Sequence, residues 1–279
     1  MTMAERDMRP TEEIVAEALR LVAVKDDDEQ GHDYWNCIRS LQSRGGLAEF
    51  DVAQALISAA NSSERVVGAD ILGQLGVGTP TFVDETVASL IAALNDPVAD
   101  VIESAVYSLG HRRSALAIEP LIRMAGHPNP NVRHAVAFGL GGHEDRRAAD
   151  CLIGLCSDED ADVRDWASFG LAVLCSIDYP ELRALLHSLL SDANPEIRGQ
   201  ALIGLARRSD ISCMDALRAE LRAEFNGIWA VEAAGHFADP SLIDDLEACR
   251  LLIDGGQPGY FISQLEDSIE ACRRGIPIN

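Results

Sequence analysis

Apolar positions along this chain recur on a helical period. In residues 132–141 they fall first, fifth, sixth and ninth: Val132, Val136, Ala137 and Leu140. Spacings of i, i+4, i+5 and i+8 place them on one helix face. The same register returns as Val163, Ala167, Ser168 and Leu171, and again as Ile197, Ala201, Leu202 and Leu205. Each of these blocks has Arg second (Arg133, Arg164, Arg198) and Gly eighth (Gly139, Gly170, Gly204). Anchored on the ninth position, the series runs Leu41, Leu72, Leu109, Leu140, Leu171, Leu205 and Ala234, at intervals of 31, 37, 31, 31, 34 and 29 residues. Near-constant spacing of this kind marks a repeat array.

A second amphipathic run precedes each block. Residues 119–125 are an example, with Pro120 in the first turn, where its missing N–H costs nothing. Between the two runs lie short polar turns: residues 95–97, 127–131, 157–160 and 191–195. Their prolines stop the first helix, and their Asn and Asp side chains suit the N-cap of the second. The pattern predicts an all-α chain without strands, a right-handed α-solenoid of about seven to eight stacked helical hairpins. It reads as one domain over residues 1–279 with no internal linker. Residues 11–46 form an N-terminal capping unit, with one helix over 11–24 and an acidic turn over 26–29. Residues 47–240 hold regular to degenerate repeats, and 241–279 hold capping helices near 241–253 and 260–274, around a glycine-rich link at 255–259.

The block resembles the short bacterial HEAT repeat, also called the PBS-lyase-type HEAT-like repeat. The resemblance rests on the aliphatic–Arg pairs Val132-Arg133, Val163-Arg164 and Ile197-Arg198, and on an Asp five residues upstream of the aliphatic position. That upstream place holds Asp28, Asp96, Asp158 and Asp192, but His127 in the fourth unit. Arg also stands at Arg65, while Tyr34, Ile102 and Gly227 depart, so units one, three and seven are degenerate. The likeness spans roughly residues 30 to 240. It implies an Asp–Arg ladder along the stack and second helices lining a concave face. It specifies fold far more than function.

Charge then narrows the function. The chain carries 45 Asp and Glu against 23 Lys and Arg, a formal charge of −22. Binding to phosphate backbones or anionic membranes depends on the opposite excess, so neither nucleic acid nor membrane is expected. A protein partner, and a basic one, fits better. The seven cysteines are odd in number and form no C-x-x-C pair, which suits reduced thiols and a cytoplasmic location. The N-terminal residues lack an apolar signal core, and no apolar run is long enough to span a bilayer. Oligomeric state is left open.

Catalytic readings find little support. HEAT-like proteins include a di-iron hydroxylase built on several His-Glu dyads, but His143-Glu144 is the one such pair here. HEAT-like DNA glycosylases carry a basic groove, which an acidic chain does not supply. The histidines lack zinc spacing, and no G-x-S-x-G, P-loop or G-x-G-x-x-G occurs; the run at residues 73–78 only marks a helix end. The expectation is a non-enzymatic protein with no metal and no cofactor. A pigment-handling protein such as a phycobilin lyase is the alternative.

Positions 3, 7 and 11 of the second helices share one stripe. Position 7 reads Arg39, Asp70, Tyr107, Phe138, Phe169, Ile203 and Glu232. The aromatics Tyr107, Phe138 and Phe169 fall in three consecutive repeats of a chain that is only 5% aromatic. With Glu103, His134 and Asp165 at position 3, His111 at position 11, and Ile203, they form the candidate partner-binding set. The role expected is a binding module, either an immunity or inhibitor protein for a basic effector or a scaffold. Trp166 and Trp229, at position 4, read as packing between helices. The pairs Arg112-Arg113, Arg146-Arg147 and Arg207-Arg208 read as structural charges near helix C-termini.

Overall fold

The computed structural model describes residues 7–27, 31–76, 78–223, 227–251 and 259–278. Asp28 and Glu29 of the acidic turn, Val77 of the glycine-bearing run, residues 252–253 of the expected helix and 255–258 of the link lie outside the described residues. By contacts, the chain divides into two compact units that meet in sequence between Leu140 and Gly141.

The first unit holds α1 (Thr11–Leu21), α2 (Gly31–Arg44), α3 (Leu47–Ile57), α4 (Ser62–Gly73), α5 (Val83–Ala93), α6 (Ala99–Arg112), α7 (Ile118–Met124) and α8 (Pro130–Leu140). The second holds α9 (Arg146–Leu155), α10 (Ala161–Phe169), α11 (Pro180–Leu189), α12 (Pro195–Arg207), α13 (Met214–Leu221), α14 (Ile228–Phe237), α15 (Ile243–Leu251) and α16 (Gly259–Arg274). Among the described residues there is no strand. Each odd-numbered helix packs on the even one that follows it. The even helices also pack on one another in series, α2 to α8 in the first unit and α10 to α16 in the second. Each unit is thus a stack of helical hairpins, the solenoid class the periodicity predicts.

The repeat register explains the core. Val132, Val136, Ala137, Leu140, Val163, Ala167, Leu171, Ala201, Leu202 and Leu205 are all fully buried. Each large aliphatic side chain so placed contributes about 1.5–3 kcal/mol. Glycine at position 8 allows close approach. A Cβ on Gly204 would stand 3.0 Å from the Cα of Ala172 and 3.2 Å from Leu186 Cδ1 of the paired helix.

Turn chemistry repeats as strictly as the core. Asn129, Asp160 and Asn194 accept backbone N–H bonds at the start of α8, α10 and α12. The Arg at position 2 turns back onto the preceding loop each time. Arg65 donates to the carbonyls of Ala59 and Ala60, Arg133 to those of His127 and Pro128, Arg164 to those of Asp158 and Glu159, and Arg198 to those of Asp192 and Ala193. The upstream Asp accepts from the N–H two residues on, as Asp96, Asp158 and Asp192 do. His127 performs the same task with Nδ1, at 3.1 Å from the Asn129 N–H, so this departure preserves the turn.

Rungs between hairpins also form. Arg65 bonds Asp96 at 2.7 Å, and the guanidinium holds that carboxyl below its ordinary range. Arg198 reaches Glu220 instead, at 2.5 Å. At helix C-termini, Arg112 donates to the carbonyls of Leu72 and Leu75, and Arg208 to those of Leu171, Cys175 and Ile177. Each caps the second helix of the preceding hairpin. Arg146 and Arg147 do otherwise: they open α9 and pair with Asp150 and Asp145.

Candidate partner-binding site

In the first unit, Glu103, Tyr107 and His111 stand one turn apart along α6, with His134 and Phe138 on α8 beside them. Their α6 and α8 registers place them on the stripe of positions 3, 7 and 11. Tyr107 and Phe138 are half-buried, and His111 is exposed. The phenol of Tyr107 shares a 2.7 Å hydrogen bond with His134 Nδ1. Phe138 lies between two α6 rings, 5.2 Å from Tyr107 and 5.1 Å from His111 between centroids. It rests on bare backbone, since a Cβ on Gly110 would meet its Cε1 at 2.9 Å. Burial raises the Glu103 carboxyl above its ordinary value and pushes the Tyr107 phenol up to about 12, while partial desolvation, with the Arg113 charge acting the same way, lowers the His111 imidazole although its residue stays largely exposed. The patch is therefore aromatic and half-desolvated, with an acid at its edge.

Beside this patch lies a buried polar cluster built on the chain's single lysine. Lys25 Nζ donates to Ser104 Oγ at 3.0 Å and stands 4.0 Å from Asp70 Oδ2. Tyr34 donates to the same carboxylate at 2.5 Å, and Gln42 to the Asp70 carbonyl at 2.8 Å. Tyr34 occupies the place where the repeat has Arg, so this degenerate unit is closed by a different hydrogen bond.

In the second unit, Asp165 and Phe169 on α10 are half-buried as well. Ile203 is not on the surface: its relative exposure is 0%, and it leaves the candidate set. Trp229 of α14 lies on Gly199 of α12, where a Cβ would be 2.8 Å from Trp229 Cβ. Its ring meets Phe169 of α10 at 6.0 Å, and Trp166 meets Phe169 at 5.5 Å, both edge to face. Phe169 and Trp229 thus join across α12, whose next residue on the same face is Ile203. Trp166 and Trp229 remain half-buried rather than enclosed. The signal for them was the missing side chain at Gly199, opposite a Trp in the following repeat.

Polar groups edge this second patch. Trp229 Nε1 donates to Glu196 Oε2 at 2.8 Å. Gln200 Nε2 donates to Asp165 Oδ1 at 3.0 Å, and Ser168 Oγ bonds Gln200 Oε1.

One side-chain cluster has the composition of a catalytic triad. Ser212 Oγ and Asp210 Oδ2 lie 3.1 and 3.2 Å from His187. Both meet the same ring nitrogen, Nε2, and Ser212 also donates to Asp210 Oδ1 at 2.6 Å. A base that activates a hydroxyl needs the carboxylate on its other nitrogen. Here Asp210 caps a turn through the Ser212 N–H, and Ser212, His187 and Arg183 hold its carboxyl far below the ordinary range. His143-Glu144 is tied locally too, with Glu144 accepting from the Ser176 N–H at 2.9 Å. Among the described residues, no group of three or more His, Cys, Asp and Glu is placed to hold a metal ion. None of the described helices is long and apolar enough to cross a membrane.

The HEAT-repeat family profile matches residues 87–172 and 155–227. Protein YibA of Escherichia coli strain K12 is 30% identical over 239 residues, covering 83% of this chain and 84% of that protein. The chain belongs to the HEAT-repeat family. The X-ray structure of E. coli YibA superposes with a TM-score of 0.64 at 26% identity, across 96% of this chain and 99% of that one. Part of the karyopherin Kap121p, whose crystal structure has it bound to the extreme C-terminus of the phosphatase Cdc14p, matches with a TM-score of 0.67. Identity to it is 15%, over 88% of this chain and 31% of that one, which bears on the fold alone. The HEAT-repeat assignment agrees with the hairpin stack and with a protein-interaction role of the general kind such repeats serve.

Proposed function

We propose that this HEAT-repeat chain is a non-enzymatic binding module that holds a basic protein through the second-helix face of its units. One observation carries the reading. Tyr107, Phe138 and Phe169 are half-exposed at the same repeat position in successive hairpins, and carboxylates edge them in a chain of net charge −22. Large aromatic groups at a surface favour anchoring contacts, and the acid excess steers a basic partner toward them. Glu103, Tyr107, His111, His134 and Phe138 serve in the first unit. Asp165 and Phe169 serve in the second, with Trp166 and Trp229 added and Ile203 supporting from beneath.

An inhibitor or immunity role against a basic effector, and a scaffold role in a cytosolic complex, both use this chemistry. The cytosolic setting is supported by seven cysteines, none of them joined in a disulfide. The test is affinity capture with wild type and a Phe138→Glu/Phe169→Glu variant side by side. The expected result is one basic protein retained by wild type and lost by a variant of unchanged helicity. Retention of the same protein by both would overturn the reading.

A further inference from the structure

The second unit contains, within its own fold, a worked example of how it accommodates a guanidinium. Arg146 lies over the Tyr179 ring, with its Cζ 3.7 Å from the centroid. The same ring donates its hydroxyl to Asp150 Oδ1 at 2.9 Å, and Arg146 Nε bonds that same Oδ1 at 3.0 Å. The arrangement has three parts: a ring, a carboxylate fixed by the ring's own polar hydrogen, and a planar cation on both.

Trp229 and Glu196 reproduce the first two parts. The indole N–H fixes Glu196 Oε2 at 2.8 Å, so the carboxylate is anchored beside the ring. Among the described residues, no guanidinium of the chain lies over Trp229. Phe169 and Trp166 extend the surface, each half-buried and set steeply against its neighbour, at 60° and 85° between ring planes. Asp165, oriented by Gln200, adds a second acid at the edge. The second unit as a whole carries 25 acidic and 12 basic residues over positions 141–279, a charge of −13.

We propose that the Trp166–Phe169–Trp229 patch, with Glu196, is a seat for an arginine side chain of the protein partner. The proposal rests on the binding-module reading and names its chemistry. Arginine fits better than the other candidates on physical grounds. An acidic or phosphorylated group would meet the unit's negative charge. An apolar side chain would cover the Glu196 carboxylate with the neutral indole N–H against it but no charge to pair it, and a buried carboxylate without a counter-charge is costly. Lysine satisfies the charge, but it lacks the flat face that stacks on an indole and the fork that grips a carboxylate.

The test is a fluorescence titration on a Trp35→Phe background, which leaves Trp166 and Trp229 as the two indoles, both in the second unit. The probes are short acetylated peptides alternating Gly with Arg, with Lys, or with neutral citrulline. The Arg peptide is expected to shift the emission saturably. The Lys peptide should bind about threefold more weakly, and the citrulline peptide about tenfold or more. Glu196→Gln should weaken the Arg peptide about five- to tenfold at unchanged helicity. Trp229→Leu should abolish the saturable shift, and competition by the Arg peptide for the captured partner gives an independent readout. No saturable binding, equal binding of the citrulline peptide, or indifference to Glu196→Gln would each overturn the arginine seat. If the seat fails while Phe169→Glu alone still releases the captured protein, the binding-module reading stands. If Phe169→Glu releases nothing and the Phe138→Glu/Phe169→Glu variant also keeps its partner, that reading falls as well.

Discussion

The two units occupy the same repeat register with different chemistry. In the first, position 7 of α4 is Asp70, buried beneath Tyr34 and Lys25 by polar bonds. In the second, position 7 of α12 is the fully buried, apolar Ile203, one turn on from Gly199, on which Trp229 lies. The neighbouring aromatics follow suit. Tyr107 is tied to His134 through its hydroxyl, whereas Phe169 makes ring contacts on both sides. Helical position alone therefore does not decide exposure. What decides it is the side chain that the adjacent hairpin supplies, or withholds, as Gly199 does.

This contrast is open to direct measurement, and the largest effect should lie in the first unit. Asp70→Ala leaves Lys25 and Tyr34 without their shared acceptor in a dry site, and should cost about 3–5 kcal/mol in urea unfolding. A cost near that of a surface substitution would show that the polar closure is not structural. Ile203→Ala should cost about 2–4 kcal/mol, the range for a truncated core aliphatic. A much smaller loss would mean that Ile203 is not held in a tightly packed core.

Asp96→Asn should have a smaller effect that depends on pH. Arg65 lowers the folded-state pKa of Asp96, so the unfolded chain binds the proton more readily. The stabilisation is present above the ordinary carboxylate pKa and is lost as pH falls through the lowered value. Unfolding midpoints of wild type and variant should differ at neutral pH and converge in acid, once pH has fallen through the lowered value. A difference that persists there would assign the effect to the turn rather than to the charge pair.

Gly199→Ala should change stability least. The gain of about 1 kcal/mol in helix propensity is opposed by an overpacking cost of about 1–3 kcal/mol, since a Cβ there would stand 2.8 Å from Trp229 Cβ, close to that residue's backbone, so the net should be a loss of up to about 2 kcal/mol. Its readout is the indole emission, which should move as Trp229 is lifted off α12. An unchanged spectrum would show that Trp229 does not rest on that glycine.

Much of this was legible before any coordinates. The i, i+4, i+5, i+8 register names the buried face of the second helices, and Val132, Val163 and Ile197 sit where it places them. The resemblance implied an Asp–Arg ladder, and Arg65 with Asp96 forms such a rung, while each position-2 Arg also closes its own turn through carbonyls five and six residues upstream. The part Trp166 and Trp229 take in the open face was less legible: position 4 borders the core, and the missing side chain at Gly199 counts only once Trp229 is placed against it.

The sequence by itself determined the helices, their hairpin pairing and the capping of their turns, because these depend on contacts close along the chain. It also determined the acid excess, which is a sum over residues. Only the tertiary structure decided which face residues stay open. Phe169 and Trp229 lie 60 residues apart in sequence, yet their rings meet 6.0 Å apart over a helix that belongs to neither. Contacts between repeats depend on the side chains of three hairpins at once, and a repeat pattern read one unit at a time does not contain them.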